Sequence, residues 1–248
     1  MSGRIRVECA GPVATVVVDH PATHNAVTTA MVDDLGSALG GLAGDPDVRV
    51  VVVTGAGEDF CAGYHLADLG DGVEPAPEVP LASMRRGGAA ALALHRLDVP
   101  VIAKVRGVAV GLGWNLALQC DLVVASDTAR FTQRFTKLGL SVDFGGSHLL
   151  PRLVGTQRAK RLVYLSEWLS AAEAADLGLV AAVVPDAELD DLVADWAGRL
   201  AGADPHALSL SKRLLERSPG ISMAAALEDE ARAQALNVMH AAQVRPRG

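Results

Sequence analysis

Short β-branched runs alternate with longer stretches of helical period through the first half of the chain. Residues 13–18 form an apolar run closed by the turn material Asp19-His20-Pro21, which predicts a strand. Over residues 28–42, Met31, Leu35, Ala38, Leu39 and Leu42 recur at helical spacing, with Asn25 or Thr28 available as a cap and Gly44-Asp45-Pro46 as the stop. Residues 48–54 are almost continuously β-branched, the pattern of a strand buried on both faces, and 99–105 and 122–125 repeat it in weaker form. Strands separated by helices require crossovers, so the pattern predicts an α/β fold on a largely parallel sheet. Two regions depart from this rhythm. Residues 70–80 are rich in Gly, Pro and acid and predict a mobile surface loop, with the stretch to residue 83 placed over the pocket; beyond Val184 only helices follow, at 186–200, 205–217 and 223–241.

Composition narrows the class. Half of the 248 residues are hydrophobic and 21% are charged, which suits a folded core and argues against disorder. A net charge of −7 without a Lys/Arg run speaks against a nucleic-acid partner. The longest apolar runs, 89–94 and 179–184, fall far short of the roughly 20 residues of a spanning helix, and no apolar stretch follows Arg4 and Arg6 as in a signal peptide. Cys9, Cys61 and Cys120 lack paired spacing, which predicts free thiols in a cytoplasmic protein rather than a disulfide or zinc site.

Common catalytic templates are missing: there is no GxSxG, GxxxxGK[ST] or HExxH, and Gly55-Ala56-Gly57 lacks the third glycine of a dinucleotide turn. His20, His95, His206 and His240 read as turn or helix-surface residues. Two segments stand out, 54–66 and 106–118. Each follows a strand and carries glycines where the backbone turns sharply or admits a close ligand. Two turns that present converging N–H groups, one at a helix start, meet the requirement of an oxyanion hole. Two ordinary strand-to-helix turns would look the same at this level.

These segments, taken in order, resemble the crotonase (enoyl-CoA hydratase/isomerase) superfamily. The likeness runs through His24-Asn25-Ala26-Val27, Phe60-Cys61-Ala62-Gly63-Tyr64-His65-Leu66, residues 105–118 into Cys120-Asp121-Leu122, Leu150-Pro151-Arg152-Leu153-Val154-Gly155, and 171–184. It implies a spiral of ββα units over residues 1–190 and a C-terminal helical region, 191–248, that assembles trimers or hexamers. It places the N–H groups of Tyr64 and Leu112 in the oxyanion hole, and His24, Ala26, Ala62, His65 and Leu66 along the CoA groove. The implied substrate is an acyl-CoA thioester, with no further cofactor and no metal.

Hydratases of this family use two glutamates, and the corresponding positions here hold Asn115 and Phe135. Water addition needs a group to activate the water and a proton source, so this loss weighs against hydration. Asp143, in Gly139-Leu140-Ser141-Val142-Asp143-Phe144-Gly145-Gly146, falls by resemblance on a loop facing the same pocket. The block most resembles the epoxyphenylacetyl-CoA isomerase branch, in which an aspartate here is the base and an asparagine replaces the first glutamate; Val142 stands where that branch has proline. The resemblance implies Asp143 as base, Asn115 orienting substrate or water, and Trp114, Phe135, Leu140 and Phe144 lining the acyl pocket and raising the Asp143 pKa. A double-bond isomerase is the leading expectation. Hydration, dehalogenase-like nucleophilic attack by Asp143 and a non-catalytic binding role are the alternatives.

Overall fold

The computed structural model describes residues 3–65 and 78–244. The predicted first strand is β2 (Val13–Asp19), and it pairs antiparallel with β1 (Arg4–Ala10) through a turn at Gly11, whose φ of 58° suits glycine. Sequence pattern does not reveal β1, because it is mostly exposed and alternates Arg4, Arg6 and Glu8 with small apolar residues. Beside β2 run β3 (Val50–Gly55), then β4 (Val101–Val105); β5 (Val108–Val110) leaves the sheet, and β6 (Leu122–Ser126) returns to it. After β7 (Arg130–Thr132) and β8 (Trp168–Ser170), β9 (Ala182–Val184) closes the large sheet, whose order is β1-β2-β3-β4-β6-β9 with every pair after the first parallel. The small sheet is β5-β7-β8.

Consecutive strands thus divide between two sheets before a helix follows: β4 and β5 lead into α3 (Leu112–Leu118), β6 and β7 into α4 (Gly146–Val154) and α5 (Thr156–Leu165). This is the ββα repeat expected. Earlier in the chain, α1 (Thr29–Ala43) is capped by Thr28, whose hydroxyl accepts from Met31 N–H at 3.2 Å, and it buries Met31, Leu35, Leu39 and Leu42. Asn25 is not the cap. It adopts φ 58°, and its amide donates to Ala56 O and Asp59 O at 2.8 and 2.6 Å, tying its turn to the segment after β3. Against α1 packs α2 (Glu78–His95), which already begins within the loop predicted for residues 70–83; residues 70–77 lie outside the described set.

Each central strand is buried on both faces, as its composition requires. Val51, Val53, Val101 and Ala103 face the main core with α1 and α3. Val50, Val52, Ile102 and Val124 face Leu189, Val193 and Ala197 of α7 (Leu189–Gly202), which covers the second side. A short helix α6 (Ala171–Asp176) with a Ser170–Glu173 capping box precedes β9. Beyond α7, α8 (Pro205–Arg217) and α9 (Met223–Val244) match the predicted C-terminal helices and expose Leu215, Met223, Leu227, Leu236 and Met239. No helix among the described residues is long and apolar enough to cross a membrane.

Candidate active site

The two glycine turns are brought together by strand pairing. Cys61 N–H donates to Val108 O at 3.0 Å and Val110 N–H to Cys61 O at 2.9 Å, so Cys61 and Ala109 form a parallel bridge. Counting the same three positions onward from each partner reaches Tyr64 and Leu112. Each is preceded by a glycine with positive φ, Gly63 at 94° and Gly111 at 53°. A Cβ added at Gly63 would lie 2.7 Å from Val110 O and 3.9 Å from Leu112 N, which shows how closely the turns approach. Leu112 opens α3, where the first N–H groups have no acceptor within the helix. Among the described residues, neither the Tyr64 nor the Leu112 N–H has a backbone acceptor. On the other flank, Ala62 N–H donates to His24 O, Val27 N–H to Gly63 O, and His65 N–H to Val27 O, each within 2.8–2.9 Å.

The two glycine turns border a cavity of about 730 Å³. Ala62, Tyr64, Leu112, Phe135, Leu140 and Asp143 line it, as the sequence led us to expect. Asp143 sits on the loop between β7 and α4, where Gly139, Phe144 and Gly145 all take positive φ. Two side chains one helical turn apart, one on α3 and one just past its end, hold that loop. Asn115 Nδ2 donates to Asp143 O at 2.9 Å, and Gln119, just past the helix end, donates to Phe144 O at 3.1 Å. Gly146 N–H also donates to Asp143 O. The Asp143 side chain is half-buried, and its Oδ1 is fully buried with no hydrogen-bond partner. Burial pushes its pKa up to about 6, while a contact with its own N–H works weakly in the opposite sense.

Three expectations need correction. Asn115 is fully buried with both polar atoms engaged, since its Oδ1 accepts from Gln133 Nε2 at 2.8 Å; it holds the loop and does not line the cavity. Trp114 points away from the cavity into the core, its ring 5.5 Å from that of Phe131. Phe144 is likewise a core residue beneath the loop rather than a lining residue. Trp168, Met84, Leu138 and Arg134 line the cavity instead. Trp168 gave no usable sequence signal, because its strand of 3 residues is too short to show a period.

Of the residues assigned to the CoA groove, His24 is exposed and its Nδ1 lies 2.6 Å from Asp59 Oδ2. The other Asp59 oxygen accepts from Val108 N–H at 2.9 Å, so one carboxylate links the His24 turn to the second glycine turn. Ala26 is buried and His65 stands 5.7 Å from the His20 ring; Leu66 lies outside the described residues. Cys61, beside the first turn, is a packing thiol: burial pushes its pKa up to about 12, which disqualifies it as a nucleophile near neutral pH.

Comparison with known proteins places this geometry. The sequence model for enoyl-CoA hydratase/isomerase matches residues 8–244. A probable enoyl-CoA hydratase of Rhodobacter capsulatus is 35% identical over 230 residues, 93% of this chain and 88% of the relative. The 1,2-epoxyphenylacetyl-CoA isomerase of Escherichia coli is 37% identical over 204 residues, 82% and 78% of the two chains. Among solved structures, a Thermobifida fusca YX protein assigned to the enoyl-CoA hydratases, in complex with CoA, superposes with a TM-score of 0.90 at 33% identity, covering 97% of this chain and 95% of its own.

Proposed function

This chain belongs to the enoyl-CoA hydratase/isomerase family, and on that premise we propose that it is an enoyl-CoA isomerase that shifts a double bond with Asp143 as its single base. The observation that carries this reading is the half-buried Asp143 carboxyl, its Oδ1 without a hydrogen-bond partner, in the cavity that Tyr64 and Leu112 also line. The positions where the family's hydratases have glutamates supply no second acid, because neither the Asn115 amide nor the Phe135 ring titrates.

In this reading the thioester oxygen of a 3-enoyl-CoA accepts hydrogen bonds from the Tyr64 and Leu112 N–H groups. Ionised Asp143 removes a proton from C2. The electron pair delocalises into a dienolate whose oxygen charge the two amides stabilise, an effect worth about 3 kcal/mol per donor in comparable sites. The protonated Asp143 then returns the proton to C4, giving the conjugated 2-enoyl-CoA and restoring the base. Burial suits both halves, since a carboxyl near pH 6 is ionised at neutral pH and still holds a proton well enough to hand it on. The surface beside His24, Ala62 and His65 takes the CoA portion, which arrives as part of the substrate, and α8 with α9 forms a trimer or hexamer.

Hydration is the second reading, favoured by the name of the Rhodobacter capsulatus relative. The two are separated by offering 3-enoyl-CoA and 2-enoyl-CoA in parallel. Isomerisation predicts conversion of the first to the second with little 3-hydroxyacyl-CoA. Rapid formation of 3-hydroxyacyl-CoA from 2-enoyl-CoA, without double-bond migration, would overturn the proposal in favour of hydration.

A further inference from the structure

Arg134 is a cation on the wall of an otherwise largely apolar cavity, and the reaction above gives it no task. It is exposed, and among the described residues no carboxylate pairs with it. Its neighbours in sequence fix where it emerges. Gln133 is buried with its amide donated to Asn115, and the Phe135 ring packs 3.4 Å from where a Cβ on Gly111 would stand. The surrounding wall, Met84, Leu138, Leu140, Val142 and Trp168, offers a hydrocarbon chain a path with one cation on it. Guanidinium groups bind carboxylates through paired, charge-assisted hydrogen bonds, and partial shielding from water strengthens them.

We propose that this cavity takes acyl-CoA thioesters whose acyl chain ends in a carboxylate, and that Arg134 is the residue that selects them. The inference rests on the acyl-CoA reading above but not on which bond is made or broken, so its test uses unreactive saturated thioesters. Binding of succinyl-, glutaryl- and adipoyl-CoA to the full chain is compared by calorimetry with that of butyryl-, pentanoyl- and hexanoyl-CoA. At least one diacid thioester should bind about tenfold or more tightly than its monoacid partner of equal length. In Arg134→Ala that preference should vanish, and in Arg134→Glu it should invert. Equal affinities in the wild-type chain would overturn the inference alone, as would equal weakening of both series in the variants, which would mean that Arg134 reads the CoA portion. Failure of every thioester to bind would overturn it together with the acyl-CoA reading.

Discussion

Asp143 stands out among the cavity residues because its side chain is half-buried and its Oδ1 has no hydrogen-bond partner. A raised pKa in a folded carboxylic acid means that the native state prefers the protonated form. Stability contributed by the neutral form is therefore present at low pH and is lost as pH rises from the ordinary aspartate value of 3.8 through about 6. At pH 7 the wild-type chain carries the full penalty. Asp143→Asn should thus raise stability at pH 7 by about 1–2 kcal/mol, with the two proteins converging near pH 4; paired denaturant titrations at both values check this. The same ionisation should govern rate. Turnover of a 3-enoyl-CoA should rise through pH 6 to a plateau above pH 7, and a flat profile between pH 5 and 7.5 would mean that another group is the base. That Asp143 faces the cavity was legible from its sequence context, and so was the direction of its shift. The cause was only partly legible: Trp114, expected to desolvate it, turns into the core, because residues two apart on a helix such as α3 face nearly opposite ways from Leu112.

At the scale of elements, α3 does two jobs with two faces. Its N-terminal end supplies the Leu112 N–H, while Asn115, with Gln119 one turn on, secures the loop that carries Asp143. Replacing Asn115 by Ala removes a buried donor and acceptor together and leaves the Asp143 carbonyl and the Gln133 amide short of partners. The expected loss is about 2–4 kcal/mol of stability, with a lower kcat and a smaller change in KM, measurable by denaturation and steady-state kinetics. Both glycine turns could be read from residue order. Their convergence could not, since it depends on the Cys61–Ala109 bridge, a contact between segments about 50 residues apart. The small sheet escaped for a related reason: β5, β7 and β8 have 3 residues each, too few to display a period.

For the whole molecule, the central strands and the C-terminal helices were the most legible parts, because long apolar periods survive whatever packs against them. The partner of that helical region was not legible. α8 has no buried residue, and on α9 Leu236 and Met239 are exposed one helical turn apart. Such apolar surface is suited to self-association. If α9 builds the proposed trimer or hexamer, light scattering should report that mass for the wild-type chain and a monomer for the double variant Leu236→Glu/Met239→Glu.

The rate of 3-enoyl-CoA isomerisation by Asp143→Asn at pH 8, set against the wild-type rate, tests the central claim most directly. Loss of a positioned base predicts a fall of about 10²–10⁴-fold in a protein that still melts cooperatively. A rate within about threefold of wild type, a difference of under 1 kcal/mol in the barrier, would contradict Asp143 as the base.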